Sequence, residues 1–541
     1  MGENQNNIPS IRNDHPSDVQ AWLIGSGIAS ITAAVHLIRD AGVPGSNIHI
    51  LDEHAHLGGG MESFGNAQEG YFLPFECHPY FHGGCIENLL GAVPSITQQG
   101  KSLLDTVYAF ERTERPAPKQ TALTRAVKRG DFGPEAVRTE GINVGLKHRL
   151  ELIKLLLQSE EELESKTIDS FFDPPFFETV FWMLWSTTFA LQPYHSVVEF
   201  QRHLRKYLEE IQSLNNLKVM NRTRFNLYES VTIPIIHYLE SKEVDFRLNA
   251  KVTDLRFSSE SDLNTVSEIE LMSNGAQHLV PVSPRDVVIT TLGSTALGAT
   301  FGSNISPPPR RYGTNRHASR EWELWEKLSS KSAKFGNPAL FLSHTKQSMV
   351  VIFTTTFLGM EFLQLYEKLT QDSPGTGALL TLTQSNWLIT ISIPHQPLFS
   401  NQPADINVIY GYALNPTVEG NYMKKPMLAC SGEEILLETL SHLDFPVSSM
   451  LATSKTIPCA MPLGTAPFLA HSRQDRPAVI PEGTTNIACV GQFAEIPEDT
   501  TLTVEYSVRG AKLAVNELMG LPDALPKIRK SLLLEVFDLM L

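Results

Sequence analysis

The sequence predicts an α/β fold built around a dinucleotide-binding domain that is assembled from segments far apart in the chain. Three observations carry this. Hydrophobic Trp22–Ile24 runs straight into Gly25-Ser26-Gly27, and a helix-like stretch, Ile31–Arg39, follows. Apolar Ile48–Leu51 ends in the acids Asp52 and Glu53, with Gly58-Gly59-Gly60 shortly after. Near the other end, apolar Asn486–Val490 leads into Gly491-Gln492-Phe493-Ala494-Glu495 and then a helical run, Thr503–Leu518.

In the first segment, Gly25 permits a tight turn, and Gly27 lets the backbone approach a pyrophosphate resting on the helix N-terminus at Ile28 and Ala29. The third position of the glycine motif is Ser30, small but not glycine. Asp52 lies 27 residues after Gly25, at the end of the second strand, where an acid takes a ribose hydroxyl. Gly58 follows six residues later, and an acid so spaced from a glycine pair points to FAD rather than NAD. The late glycine motif reads as a strand returning to this domain, with a helix N-terminus turned toward the flavin. Asp286–Ser294 reads as a further strand with a glycine exit.

These segments set the expected organisation. Residues 1–18 form a disordered tail, and residues 19–105, with about 280–300 and 455–518, form a Rossmann-like FAD-binding domain. Residues 106–279 and 301–454 form a mixed α+β substrate domain with a helical block, in which 100–145 is a polar excursion. Helices are expected over Leu146–Glu164, Glu178–Phe189, Ser196–Ser213 and Tyr228–Ser241, where apolar residues recur at helical spacing. Strand-like runs include Val252–Phe257, Met349–Thr355, Trp387–Ile393 and Asn407–Tyr412. The helical C-terminal part, 519–541, is amphipathic. It either docks on its own domain or a dimer partner, the favoured reading, or makes peripheral contact with a membrane.

Composition narrows the function classes. The chain has 541 residues, 42% hydrophobic and 19% charged, with a formal net charge of −15, which argues against a nucleic-acid partner. The locally basic stretch Arg125–Arg138 reads as a solvated loop. Five scattered cysteines without C-x-x-C spacing suggest reduced thiols in a cytoplasmic protein and no metal site. The N-terminus has no apolar signal core, and no run is long enough to span a membrane.

Longer stretches carry a resemblance. GSGIASITAAVHLIRDAGVPGSNIHILDE, IDSFFDPPFFETVFWMLWSTTFA, HSVVEF, YESVTIPIIHYLESKEVDFRLNAKVTDL, KKPMLACSGEEI, DRPAVIPEGTTNIACVGQFAE and TTLTVEYSVRGA stand in the order found in the oleate hydratases, also called myosin-cross-reactive antigens. The chain resembles that family over roughly 20–515. The resemblance implies a homodimeric flavoprotein with an apolar substrate channel. It also implies addition of water across an isolated double bond of an unsaturated, lipophilic substrate, without net redox change. Such chemistry needs an acid beside the alkene, a base that orients water, and exclusion of other water.

The sequence departs from the family where protons are handled. Aligning His82 and Cys85 with the family's His and Cys puts His78 where the family has a catalytic glutamate; Glu76, two residues earlier, substitutes if the loop shifts. His203 stands where the family has its tyrosine. The expected catalytic set is therefore His78, His203 and Glu76, and histidine can serve as acid or base near neutrality. The positions that hold a fatty-acid carboxylate have become Leu227, Ser392, Pro394 and Leu398. Only Ser392 keeps a hydroxyl, so the substrate is expected to lack a carboxylate at that end, as a polyene, polyketide or terpenoid would. Trp185, in an aromatic run, reads as core packing first and tunnel lining second.

Three readings follow. One is acid–base catalysis at a C=C bond, by hydration, isomerisation or proton-initiated cyclisation. The others are a redox flavoenzyme, an oxidase or desaturase on a similar lipophile, and a lipid-binding flavoprotein without catalysis.

Overall fold

A computed structural model describes residues 12, 14–74, 83–113, 124–138, 144–207, 223–259, 264–309, 322–522 and 524–528. Its first unit is a five-stranded parallel sheet in the order Ile487–Val490, Val287–Thr291, Ala21–Ile24, Ile48–Leu51, Asp245–Arg247. Leu23 sits opposite both Ile289 and Ile50. The inner strands are largely apolar, as in a parallel sheet covered on both faces, whereas the edge strand Asp245–Arg247 carries partly exposed charges. Helix Ile28–Arg39 packs between the sheet and helix Val504–Met519, burying Ile31, Val35 and Leu37.

The second unit is an eight-stranded sheet: Thr300–Phe301, Ser454–Met461, Val350–Leu358, Ile406–Ala413, Ile389–Ser392, Leu379–Leu382, Thr124–Gly130, Gly133–Arg138. Its central strands are buried on both faces. Along Val350–Leu358, Val350 and Ile352 enter one core while Val351 and Phe353 enter another, the alternation a pleated strand imposes. The first core also takes helices Val180–Phe189 and Val197–Tyr207, and the second takes helix Gly432–Leu443.

Several boundaries differ from those expected. Strand Asp245–Arg247 pairs with Ile48–Leu51, and helix Ile233–Ser241 packs on helix Ile28–Arg39, so this stretch lies with the parallel sheet and not with the substrate half. The antiparallel sheet Ala250–Phe257, Val266–Ser273, Ala276–Pro281 shares the same core. Ser454–Met461, by contrast, belongs to the eight-stranded sheet.

The expected polar excursion contains helix Leu103–Thr113 and the hairpin Thr124–Gly130/Gly133–Arg138. Arg125 in that hairpin is buried, donating to Leu379 O (2.9 Å) and Thr188 Oγ1 (3.0 Å), so the start of the basic stretch is a buried strand, while Lys128 and Arg129 are exposed as expected. The N-terminal tail is tied down at Arg12. Its buried guanidinium donates to the carbonyls of Pro284, Arg285, Asp286, Thr485 and Leu518, and burial lowers its pKa to about 10. Residues 208–213 of one expected helix and 529–541 of the C-terminal segment lie outside the described residues. Among the described residues, no helix is long and apolar enough to cross a membrane.

Helix Gly432–Leu443 starts with a capping box, in which Ser431 Oγ accepts from Glu434 N and the Glu434 side chain accepts from Ser431 N. Gly432 is required by contact, because a Cβ there would run into the Thr456 carbonyl of the adjacent strand. Gly432→Ala is expected to destabilise the protein by more than about 2 kcal/mol. Ser431→Ala, which removes only the cap, should cost about 1 kcal/mol. Denaturant midpoints of the two variants check this order.

Candidate active site

A cavity of about 540 Å³ opens at the carboxyl ends of the parallel strands, where ligands sit in open α/β sheets. One end is the glycine cradle. Gly25 has φ +96° and Gly27 is the N-cap of helix Ile28–Arg39, which has no side-chain cap, so its first N–H groups face the cavity unclaimed by a side chain. A Cβ built on Gly27 would meet nothing within 4 Å among the described residues, which leaves space beside it. Gly59 presses on this turn from the other side; a Cβ there would lie 3.0 Å from Gly27 Cα. Tyr228 braces the second glycine turn, with its ring against Gly58 and its hydroxyl donating to Leu57 O (3.0 Å).

Asp52 is buried, and its carboxylate oxygens accept the N–H groups of Ser26 (2.7 Å) and His54 (2.8 Å). It therefore pins the glycine turn, with lone pairs left for a ribose. Glu53 also lines the cavity, 3.6 Å from Lys251 Nζ.

The far end is built differently. Gly491 (φ +96°) and Gln492 border it, together with Thr503, Val504 and Ser507 from the start of helix Val504–Met519. Gln492 holds that helix in place, accepting from Leu502 N (2.5 Å) and donating to Ser507 Oγ (2.8 Å). Beyond lies an apolar wall of Phe72, Phe301, Ile352, Cys459 and Met461, supplied largely by the eight-stranded sheet. Burial pushes the Cys459 thiol up to about 12, so it stays protonated.

The chain's similarity to known proteins agrees with this layout. Residues 18–516 match the MCRA family. The chain belongs to that family. It is 32% identical over 521 residues to an oleate hydratase of Streptococcus pyogenes serotype M49 (strain NZ131), covering 94% of this chain and 86% of that protein. It is 29% identical over 546 residues to a linoleate hydratase of Lactiplantibacillus plantarum, covering 93% and 94%. Among solved structures, the cyclohexylamine oxidase of Brevibacterium oxydans IH-35A aligns with a TM-score of 0.51 at 13% identity, over 93% of this chain and 99% of that one. At that identity the likeness is one of fold.

The cleft of this MCRA chain fits FAD. The open space at Gly27 suits a pyrophosphate, Asp52 and Glu53 suit the ribose, and a helix N-terminus meets the opposite end. Of the residues read from sequence as cofactor ligands, Gly25, Gly27, Ile28, Ala29, Asp52, Glu53, Gly58, Gly59, Gly60 and Gly491 line the cavity. Ser30 instead ties its helix to the sheet, 3.2 Å from Thr291 Oγ1.

Phe493, Ala494 and Glu495 do not line the cavity, because the chain turns away after Gln492. Phe493 packs on Trp322, Trp325 and Phe341, and Ala494 O accepts from Tyr506 Oη (2.6 Å). Glu495 is spent on Arg202 (2.7 Å) and Arg476 (3.6 Å). Sequence reading missed Tyr228, Lys251, Gln492, Thr503 and Ser507. Gln492 stands inside the late glycine motif, and Thr503 and Ser507 stand in the helical run after it, which was the available signal; Tyr228 and Lys251 lie beside no glycine motif.

Glu76 and His78 lie outside the described residues. His203 is fully buried on helix Val197–Tyr207, between Phe189, Tyr207 and Phe468. Its Nδ1–H donates to Glu199 O (2.7 Å), and burial lowers its pKa to about 4. The ring is therefore neutral near pH 7, with Nε2 as its basic atom. It does not border the cavity, but shares a core with Phe72, Ile352, Cys459 and Met461, which do.

Of the substrate-side positions, only Leu227 lines the cavity. Asn226 joins it to the other segment by donating N–H and Nδ2 to Leu398 O (2.9 and 3.1 Å). Ser392 Oγ donates to Gly377 O (3.0 Å), and the Pro394 carbonyl accepts from Gln396 Nε2 (3.0 Å). Trp185 is packed between Phe181 and Phe189, and its Nε1 has no hydrogen-bond partner among the described residues. Among the described residues, His148, Glu151 and Asp173 have metal-ligand spacing, but Lys147 already pairs with both carboxylates.

Gly27→Ala has an allowed backbone (φ −68°, ψ 172°) and no clash, so apoprotein stability should not change. Its methyl group takes the open space, and FAD affinity is expected to fall roughly tenfold or more, read by flavin titration of the apoprotein. A second test uses pH. Between pH 6.5 and about 4 the unfolded chain protonates at His203 while the folded chain does not, so falling pH removes stability in that window. His203→Gln should flatten this loss, as shown by urea midpoints across the range.

Proposed function

We propose that this MCRA chain, with FAD in the cleft, carries out net non-redox acid–base chemistry at a carbon–carbon double bond of a lipophilic substrate. Hydration is the leading reaction, by kinship with the oleate and linoleate hydratases. Isomerisation and proton-initiated cyclisation share its first step. The observation that carries the reading is a single cavity that joins a glycine cradle to an apolar wall.

Each requirement of the chemistry has a counterpart. The wall of Phe72, Phe301, Ile352 and Met461 suits an alkyl chain and excludes bulk water from a cation-like transition state. His203, neutral with Nδ1–H fixed, suits the role of base through Nε2 where the substrate passes the apolar wall, since the ring lies in the aromatic core behind that wall and not on the cavity itself. It is poorly suited to be the acid, since burial opposes its charged form. The acid then falls to the segment holding Glu76 and His78. Bound FAD supplies a planar polar surface and electrostatic stabilisation, with no net electron transfer.

The substrate is further proposed to lack a carboxylate at the Leu227 end. Ser392 is committed to Gly377, and Gln396 and Gln402 hydrogen-bond each other and the local backbone. Leu227, Pro394 and Leu398 offer an anion nothing.

The decisive experiment extracts lipophiles from the native holoprotein, identifies them by mass spectrometry, and returns them to the enzyme in heavy water. Solvent deuterium gained at a former double bond, with oxidised flavin retained anaerobically, is the expected result. His203→Ala should lower that turnover roughly 100- to 10,000-fold with FAD still bound. Anaerobic bleaching of the flavin by the extracted substrate would establish redox chemistry and overturn the proposal.

A further inference from the structure

Among the charged groups that line the cavity, Glu62 is the one whose side chain nothing among the described residues claims. Asp52 accepts two backbone N–H groups, and Lys251 and His54 both stand against Glu53 (3.6 and 3.9 Å). Lys251 also reaches Glu323 (3.7 Å). The Glu62 N–H closes the glycine turn on Gly59 O (3.3 Å), but its carboxylate has no hydrogen-bond or ion-pair partner among the described residues.

The chain puts this carboxylate at a junction. The turn Gly59–Met61 ends at Glu62, and strand Phe64–Asn66 begins two residues later. Phe64 also lines the cavity, and its ring meets those of Phe72 (5.2 Å) and Phe301 (5.8 Å) in the apolar wall. Glu62 therefore stands where the glycine cradle gives way to the wall. It also acts on Tyr228, whose phenol pKa is raised by burial and next by the charge of Glu62. Tyr228 directly follows Leu227, the substrate-side position that lines the cavity.

The other charges near Leu227 do not offset it. Arg224, three residues before, lies over the Phe225 ring (5.7 Å) and does not line the cavity. Glu229, two residues after, is a further acid, accepting from Ser400 N (2.9 Å) and Asn226 Nδ2 (3.3 Å).

We propose that Glu62 determines specificity for the substrate's terminus, accepting a hydrogen bond from a hydroxyl and repelling a carboxylate, so that the cavity takes a lipophilic alcohol in preference to a fatty acid. This rests on the neutral-substrate reading above and adds to it a group that acts on the terminus directly. An O–H donated to an ionised oxygen makes a short, strong hydrogen bond. A carboxylate brought to the same place meets like charge beside an apolar wall that screens it poorly. An ester, neutral but without a donor, escapes the repulsion and gains no bond, so it falls between the two.

The test measures binding to the full-length holoprotein, by flavin absorbance or tryptophan fluorescence, with three probes of one chain length: oleyl alcohol, methyl oleate and oleate. The unaltered protein should bind them most tightly in that order. Glu62→Gln, which keeps the shape and removes the charge, should narrow the ratio of alcohol to acid affinity roughly tenfold or more. Glu62→Asp, which keeps the charge, should preserve the order. Both should keep FAD affinity and the thermal midpoint, since the side chain is only half-buried and unpaired. An unchanged ratio in Glu62→Gln overturns the proposal and leaves the neutral-substrate reading standing. A tenfold loss of FAD affinity in that variant also overturns it, assigning Glu62 to the cofactor. Tighter binding of oleate than of oleyl alcohol by the unaltered protein overturns the neutral-substrate reading, and this inference with it.

Discussion

A chain of buried charges fastens the helix Val197–Tyr207 to the cofactor half, and the geometry of both depends on it. Arg202 takes both oxygens of Glu160 (2.9 and 2.7 Å) and reaches Glu495 (2.7 Å). Arg476 pairs with Glu199 (3.1 Å), and Lys206 pairs with Asp499 (2.7 Å). Arg509 links Asp499 (3.1 Å) to Glu505 (3.0 Å), whose carboxylate accepts the N–H groups of Cys85 and Ile86. Removing one partner from such a network leaves an uncompensated buried charge, typically about 3–5 kcal/mol. Apolar replacements would fill the same volume without fixing direction, so the network's main effect is on register. Glu505 lies in the first turn of the helix whose N-terminus borders the cleft, and it caps helix Gly84–Ala92. The cap helix, the cofactor-facing helix and the helix of His203 thus share one set of ion pairs.

Placing His203 within this frame has a consequence for its chemistry. Buried ion pairs flank the helix, yet the imidazole itself projects among Phe189, Tyr207 and Phe468 and is kept neutral. Lys206 and Arg202 act in the same direction as burial, and Asp499 opposes them. The hydrogen bond to Glu199 O fixes one tautomer, so basicity is directed to a single atom. A histidine in a solvated cleft would have kept both protonation states at neutral pH; this one keeps one. In the proposed function, that asymmetry would divide the two proton roles between separate segments instead of pairing equivalent histidines.

Much of the cofactor half was legible because its signals are local. A strand, a glycine turn and an uncapped helix follow each other within Ala21–Arg39, and no distant residue is needed to read them. The assembly of strands 287–291 and 487–490 beside them was legible for the same reason. Charged residues misled where tertiary structure had claimed them. Arg125 looked solvated but donates to backbone and hydroxyl oxygens inside the eight-stranded sheet, and Arg12 sat in an apparently disordered tail while serving five carbonyls. Glu495 stood at a motif position that suggested the flavin, but two arginines more distant in sequence, or behind it in the chain, bind it. Burial of a charge is decided by partners far apart in sequence, which a single-chain pattern does not display.

The segment proposed to meet the substrate follows the opposite logic, in which polarity is closed in on itself. In the turn after strand Ile389–Ser392, Gln396 and Gln402 exchange a hydrogen bond (2.7 Å) and take up the backbone groups of Val408, Leu398, Phe399 and Ile406. Asn226 closes the gap to Leu398, and the His395 ring rests edge-on against Phe110 at 4.9 Å. A carboxylate delivered beside Leu227 would lose its hydration and face side chains that cannot replace it, at a cost of several kcal/mol. A neutral terminus loses nothing there. In the proposed function, exclusion of this kind needs no contact that recognises the correct substrate, so selectivity for a neutral lipophile and proton transfer at the double bond would be set by separate residues.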